Sequence, residues 1–121
     1  MIRFQYENAR DFHEGLAEVM VADRWGYIYP DGTIAIEPIF RVTDQFIEGM
    51  ASASPDGDAQ NRYGFISKKG TFVVPPQYEM VSVFRHGLCF VKLENSVGYI
   101  DQQGRAVWQG GYVNAGRMSE L

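Results

Sequence analysis

Trp25-Gly26-Tyr27-Ile28-Tyr29-Pro30-Asp31-Gly32-Thr33-Ile34-Ala35-Ile36-Glu37-Pro38-Ile39-Phe40 decides the fold, because the chain writes this stretch again. Tyr63-Gly64-Phe65-Ile66-Ser67-Lys68-Lys69-Gly70 begins its second copy 38 residues on, closing at Tyr78, and Val97-Gly98-Tyr99-Ile100-Asp101-Gln102-Gln103-Gly104 begins a third after a further 34. Inside the first copy Trp25, Tyr27 and Tyr29 alternate with Gly26 and Ile28, the period of a β-strand. Pro30-Asp31-Gly32 then predicts a tight turn, proline presetting φ and glycine accepting a left-handed backbone. A further strand over Thr33–Glu37 follows from the β-branched alternation beyond it.

Upstream, Leu16 to Val21 alternates into the short polar connection Ala22-Asp23-Arg24, so it pairs with the Trp25 strand as an antiparallel hairpin. Gly15 precedes that hairpin and recurs at Gly49 and Gly87 with the same steps of 34 and 38, which marks a backbone position needing positive φ or close approach. Each unit thus reads as two linked hairpins of about three strands, followed by an extended link such as Arg41 to Gln45. The connection between the first two strands is short at Met20–Arg24 and Lys92–Ser96 and longer at Ser54–Arg62, and this insertion accounts for the alternation of the two steps. The polar, glycine-containing Ser54–Arg62 segment, with Asp56 and Asp58, reads as a solvated loop, either a tolerated insertion or a contact for a partner.

Both ends fall into phase with the repeats. Ile2, Phe4 and Tyr6 align with Ile36, Pro38 and Phe40, and residues 106–118 occupy the phase of residues 1–12. A closed ring needs that segment once, so its presence at both ends favours an open stack with atypical caps. The expected fold is all-β: three tandem β-hairpin repeats of about 34–38 residues, stacked as a short open solenoid-like array with capping half-repeats. It forms one domain over residues 1–121, with units at about 7–40, 41–78 and 79–112 and end segments 1–6 and 113–121. Tyr6, Phe40, Tyr78 and Tyr112 are expected at equivalent places, as are Phe12, Phe46, Phe84 and Met118.

Composition sets limits on partners. A net charge of −4 without a Lys/Arg cluster disfavours nucleic acid, whose nonspecific affinity comes from cations that displace counterions. The lone Cys89 excludes an internal disulfide and a cysteine-built zinc site. No span of about 20 apolar residues predicts a membrane helix, and the N-terminus lacks the apolar run of a signal peptide, so no membrane association and a cytoplasmic location are expected.

These residues resemble the WG repeat, a bacterial β-repeat. Gly15-Leu16-Ala17, Trp25-Gly26-Tyr27-Ile28, Gly32 and Pro38-Ile39-Phe40 carry the likeness best. The second unit places Tyr63 where the motif has tryptophan, and the third places Val97 there while keeping Tyr99-Ile100-Asp101. The resemblance implies a β-repeat scaffold regarded as an interaction module, with no shared catalytic residues.

The residues themselves offer little for catalysis. His13 and His86 stand one position apart in phase, at sites that read as solvated, and Cys89 takes the place of Ala17 and Ala51, a small buried side chain. Asp31, Asp56, Asp58 and Asp101 fall on turns or a turn edge, where carboxylates serve the backbone, and Asp56-Gly57-Asp58 is too short for a calcium loop. No catalytic, cofactor or metal residue is therefore expected. The aromatic ladder is either packed between β-layers or a partly exposed strip that binds a protein or peptide. The candidate partner-binding residues are Trp25, Tyr27, Tyr29, Tyr63, Asp56 and Asp58. A noncatalytic protein- or peptide-binding module is the leading expectation. Alternatives are a small acidic inhibitor or immunity-type protein and, further off, a carbohydrate-binding or hydrolytic protein with exposed aromatics as a platform and carboxylates nearby, although Asp23 and Asp31, which flank the Trp25 strand, stand about 26 Å apart along an extended chain, too far to serve one bond.

Overall fold

The computed structural model describes residues 6–55, 62–94 and 96–111, the last four of them as backbone. Among these residues twelve strands form three four-stranded antiparallel sheets, and there is no helix. The first sheet holds β1 (Asn8–His13), β2 (Leu16–Val21), β3 (Arg24–Ile28) and β4 (Ile34–Phe40), in that order. The second holds β5 (Val42–Thr43), β6 (Ala51–Ser54), β7 (Tyr63–Ile66) and β8 (Phe72–Tyr78). The third holds β9 (Met80–Val81), β10 (Cys89–Leu93), β11 (Ser96–Ile100) and β12 (Ala106–Gly111). Each sheet is a simple meander, and none closes into a barrel. The all-β array of tandem hairpin repeats is as the sequence implies. Tyr112 and Met118 lie outside the described residues.

Each sheet has four strands where the sequence suggests three, because the link is itself a strand. Val42 and Thr43 pair with Ser54 and Ala53. The turn Glu48-Gly49 sends the chain back on itself: Ile47 and Met50 exchange backbone hydrogen bonds of 2.9 and 3.1 Å across it. A link that ends in such a turn must run antiparallel to the strand that follows. Both central residues have positive φ, 53° at Glu48 and 81° at Gly49, and Glu14-Gly15 and His86-Gly87 repeat the pair. This is the backbone of the type I′ hairpin turn, with a non-glycine residue held in the left-handed region each time.

The glycine of the Trp-Gly pair has a different reason. β3 and β4 shift register between Trp25 and Tyr27, and the bulged β4 passes directly over Gly26. A methyl group at Gly26 would lie 2.6 Å from Pro38 N and 2.8 Å from the Glu37 carbonyl carbon; one at Gly64 would lie 2.7 Å from Pro76 N. The prolines are tolerated because β4 and β8 are edge strands and bulged.

The core lies between sheets. Leu16, Tyr27, Ile36 and Phe40 of the first unit pack with Phe46, Ala51, Ala53 and Ile66 of the second. Met50, Phe65, Val74 and Tyr78 of the second pack with Phe84, Cys89, Val91 and Ile100. At the start of the array Tyr6 packs against Ala17, Val19 and Ile28, the place that Phe40 takes on the second unit, so the N-terminal segment serves as a partial cap.

Candidate partner-binding surface

Two of the aromatic candidates are interior. Trp25 is 6% exposed and Tyr27 is 0% exposed. The Arg10 guanidinium lies 4.2 Å from the centre of the Trp25 ring system, a cation–π contact, and donates to Glu18 Oε2 at 2.7 Å. Thr43 of the second unit donates its hydroxyl to the same buried carboxylate oxygen at 2.7 Å. The Tyr27 hydroxyl donates to the Asp44 carbonyl at 2.6 Å, while its ring meets Phe46 edge-on at 4.8 Å. Burial first, and then the negative charge of Glu18, push the Tyr27 hydroxyl well above the usual phenol range. These side chains cement the first boundary and offer no face to a partner. Tyr29 is exposed, and Tyr63 is half-buried on the wall of a cleft of about 340 Å³ between the second and third units. Asp56 and Asp58 lie outside the described residues.

Asp23 and Asp31, which flank the Trp25 strand, have structural duties. Asp23 pairs with Arg41 at 3.0 Å. Asp31 accepts from the Thr33 hydroxyl at 2.7 Å and from its N–H at 3.0 Å, and these bonds hold its carboxyl below the usual range. Asp101 likewise accepts the backbone N–H groups of Arg105 and Gln103. Cys89 is buried; burial pushes its thiol up, partly offset by Ser82, as in an inert packing position. Among the described residues no group of three His, Cys, Asp or Glu side chains is placed to hold a metal. Also among them, no helix is long and apolar enough to cross a membrane.

What joins the units is a ladder of turns. Glu14 Oε2 accepts the N–H of Glu48 at 2.7 Å and Oε1 accepts that of Gly49 at 2.9 Å. Glu48 does the same one unit later, taking the N–H groups of His86 at 2.7 Å and Gly87 at 2.9 Å. Two successive N–H groups on a left-handed turn form a small concavity suited to a carboxylate. Burial pushes the Glu14 carboxyl up, but the N–H donors of Gly49 and Glu48 and the Lys68 ammonium outweigh it and hold the group below its ordinary value. A second contact returns in the other direction: Lys68 Nζ donates to the Glu14 carbonyl and Gln102 Nε2 to the Glu48 carbonyl, both at 2.9 Å. Glu14 and Glu48 are thus clamps, although before a glycine each reads as a solvated residue. The signal was an acid at the same phase twice.

At the two ends the ladder changes chemistry. His86 stands where a third clamp carboxylate belongs, and Pro30 stands where Lys68 and Gln102 donate. The N–H groups of Glu14 and Gly15 have no acceptor among the described residues, although their counterparts in the second and third units are both occupied. Beside them, Phe12 is 42% exposed, whereas Phe46 and Phe84 at the same phase are each 1% exposed against Tyr27 and Phe65. Ile34 is exposed as well, at the phase where Phe72 packs edge-on against Phe40.

The profile of the family described as WG containing repeat matches residues 1–25, 25–56 and 63–96. The chain belongs to the WG-repeat family. No curated protein matches it. Within this WG-repeat chain the tryptophan of the motif survives only in the first unit, where it is a buried seat for Arg10, and the second and third units put Tyr63 and Val97 in its place. The glycine beside it is retained in all three units. At Gly26 and Gly64 it lets the neighbouring strand pass.

Proposed function

We propose that this WG-repeat chain is a noncatalytic protein-binding module whose N-terminal end face docks a partner. One observation carries the reading: Phe12 is 42% exposed at a phase where Phe46 and Phe84 are buried to 1%. The end face is built like an interface used twice within the molecule, with an aromatic ring, an aliphatic side chain at Ile34 and a pair of turn N–H groups that have no acceptor among the described residues. The partner that fits it presents an apolar patch beside a carboxylate.

The test is capture from the source lysate by the wild-type chain and by Phe12→Asp and Ile34→Asp, with thermal melting to establish that each variant is folded. A partner retained by the wild type and lost by both folded variants supports the reading. Capture that is indifferent to both substitutions, or turnover of a small substrate by the purified chain with no capture at all, overturns it.

A further inference from the structure

The boundary between the first and second units is closed by a set of side chains that the next boundary lacks. Arg10 stacks on Trp25 and pairs with Glu18, and Thr43 seals the pair from the neighbouring unit. At the same phases between the second and third units stand Asp44, Tyr63, Ser52 and Val81. Each is shorter or smaller than its counterpart or, in Val81, has lost the hydroxyl that bridged the units. The result is the open cleft of about 340 Å³, whose lining is completed by Glu79, Val42, Thr43 and Met80.

The cleft keeps the chemistry that received Arg10. Tyr63 provides an aromatic wall where Trp25 lies under the guanidinium, and Ser52 provides a hydroxyl where Glu18 accepts. Where the first boundary has the buried Glu18, the carboxylate of this boundary is instead the exposed one of Asp44. Its backbone is fixed by the Tyr27 hydroxyl at its carbonyl and by a 3.1 Å bond from its N–H to the Ser52 carbonyl. Its carboxylate accepts only the adjacent Gln45 N–H, at 2.8 Å, with no cation in ion-pair range among the described residues. Glu79, by contrast, is already engaged: it accepts the Glu94 N–H at 2.8 Å and lies 3.6 Å from Lys92 and 3.9 Å from Arg62. Asp44 is thus the carboxylate left to receive a cation from outside.

We infer that the cleft between the second and third units binds a guanidinium group, supplied by an arginine side chain of a basic peptide. The guanidinium stacks on Tyr63 and pairs with Asp44, taking from outside the position that Arg10 fills from within at the first boundary. A planar fork that both stacks and pairs suits this site better than an ammonium, which is a compact and strongly hydrated charge. The net charge of −4 draws basic peptides toward the chain. The site is separate from the end face, so the two readings stand or fall independently.

The experiment is an amide-resolved NMR titration of the full chain with acetyl-Gly-Arg-Gly-amide and its lysine counterpart. Saturable shifts at Asp44, Ser52, Tyr63 and Val81 are expected, with the arginine peptide binding several-fold tighter. Asp44→Asn should weaken the arginine peptide by about fivefold, the upper range for one exposed ion pair. A second variant fills the cleft from within: Asp44→Arg with Ser52→Glu rebuilds the first boundary's arrangement and should abolish the shifts while the rest of the spectrum is retained. Phe12→Asp should leave the titration unchanged. Absence of saturable shifts at these amides up to about 50 mM, well beyond a millimolar affinity, overturns the inference. So does equal binding of the two peptides, or unchanged binding by the filled variant.

Discussion

Phe46 and Phe12 occupy the same phase of the repeat, and truncating each to alanine separates the contribution of the neighbouring unit from that of the residue itself. Phe46 is 1% exposed with its ring 4.8 Å from Tyr27, so Phe46→Ala removes the transfer energy of the ring and leaves a cavity at the first boundary. The expected loss is about 3–5 kcal/mol. Phe12 is 42% exposed, so only the covered part of the ring counts. Scaling a full side-chain burial by that part gives about 1–1.5 kcal/mol for Phe12→Ala. Urea unfolding followed by tryptophan fluorescence checks both. With slopes of about 1–3 kcal/mol per molar, the Phe46→Ala midpoint should fall by at least about 0.5 M more than that of Phe12→Ala. Should Phe46→Ala leave no folded baseline, Phe46→Leu serves at smaller amplitude. Midpoints for the two alanine variants that agree within error would refute the claim that neighbouring units bury this phase.

Gly26→Ala should cost about 3 kcal/mol or more, above the usual range for overpacking, because the added methyl meets the backbone of β4 at Pro38 and Glu37, which cannot rotate aside. Thermal melting reads it, and a neutral result would remove the close-approach explanation. Glu14 has a folded-state carboxyl below its ordinary value, so it contributes stability above that value which is lost as pH falls through the lowered one. Wild type should therefore lose more stability than Glu14→Gln between about pH 5 and pH 3, measured by urea midpoints at each pH. Parallel pH profiles would show that the clamp is not felt.

The phase of the repeats, the turns and the strand alternation were legible because they are local: turn chemistry and period-two patterning need only neighbours in sequence. β5 was not legible, since two residues show no alternation and Val42–Thr43 becomes a strand only by pairing with Ser54 and Ala53 after the Glu48-Gly49 turn. Parity placed Trp25 and Tyr27 on one face but could not say that a second sheet covers it. The Arg10, Glu18, Trp25 and Thr43 set spans 33 positions and rests on a contact between units, which no window of sequence displays. The clamps were within reach: Glu14 and Glu48 share a phase and precede a glycine. What hid them was that an acid on a turn ordinarily faces water, and only the approach of the next turn's N–H groups gives it another task.

Apart from the 3.4 Å approach of the Lys68 ammonium to the Glu14 carboxylate, the joints of the ladder touch main chain. Glu14 and Glu48 grip amide hydrogens that almost any residue supplies, and Lys68 and Gln102 grasp carbonyl oxygens that every residue supplies. A joint of this kind places almost no demand on the spelling of the module it fastens. Its lineage can copy a module, splice it in and let the rest drift, provided the clamp, the glycine and the donor keep their offsets. That freedom is visible in one column of this chain, where indole, phenol and isopropyl succeed one another at Trp25, Tyr63 and Val97 without interrupting the array.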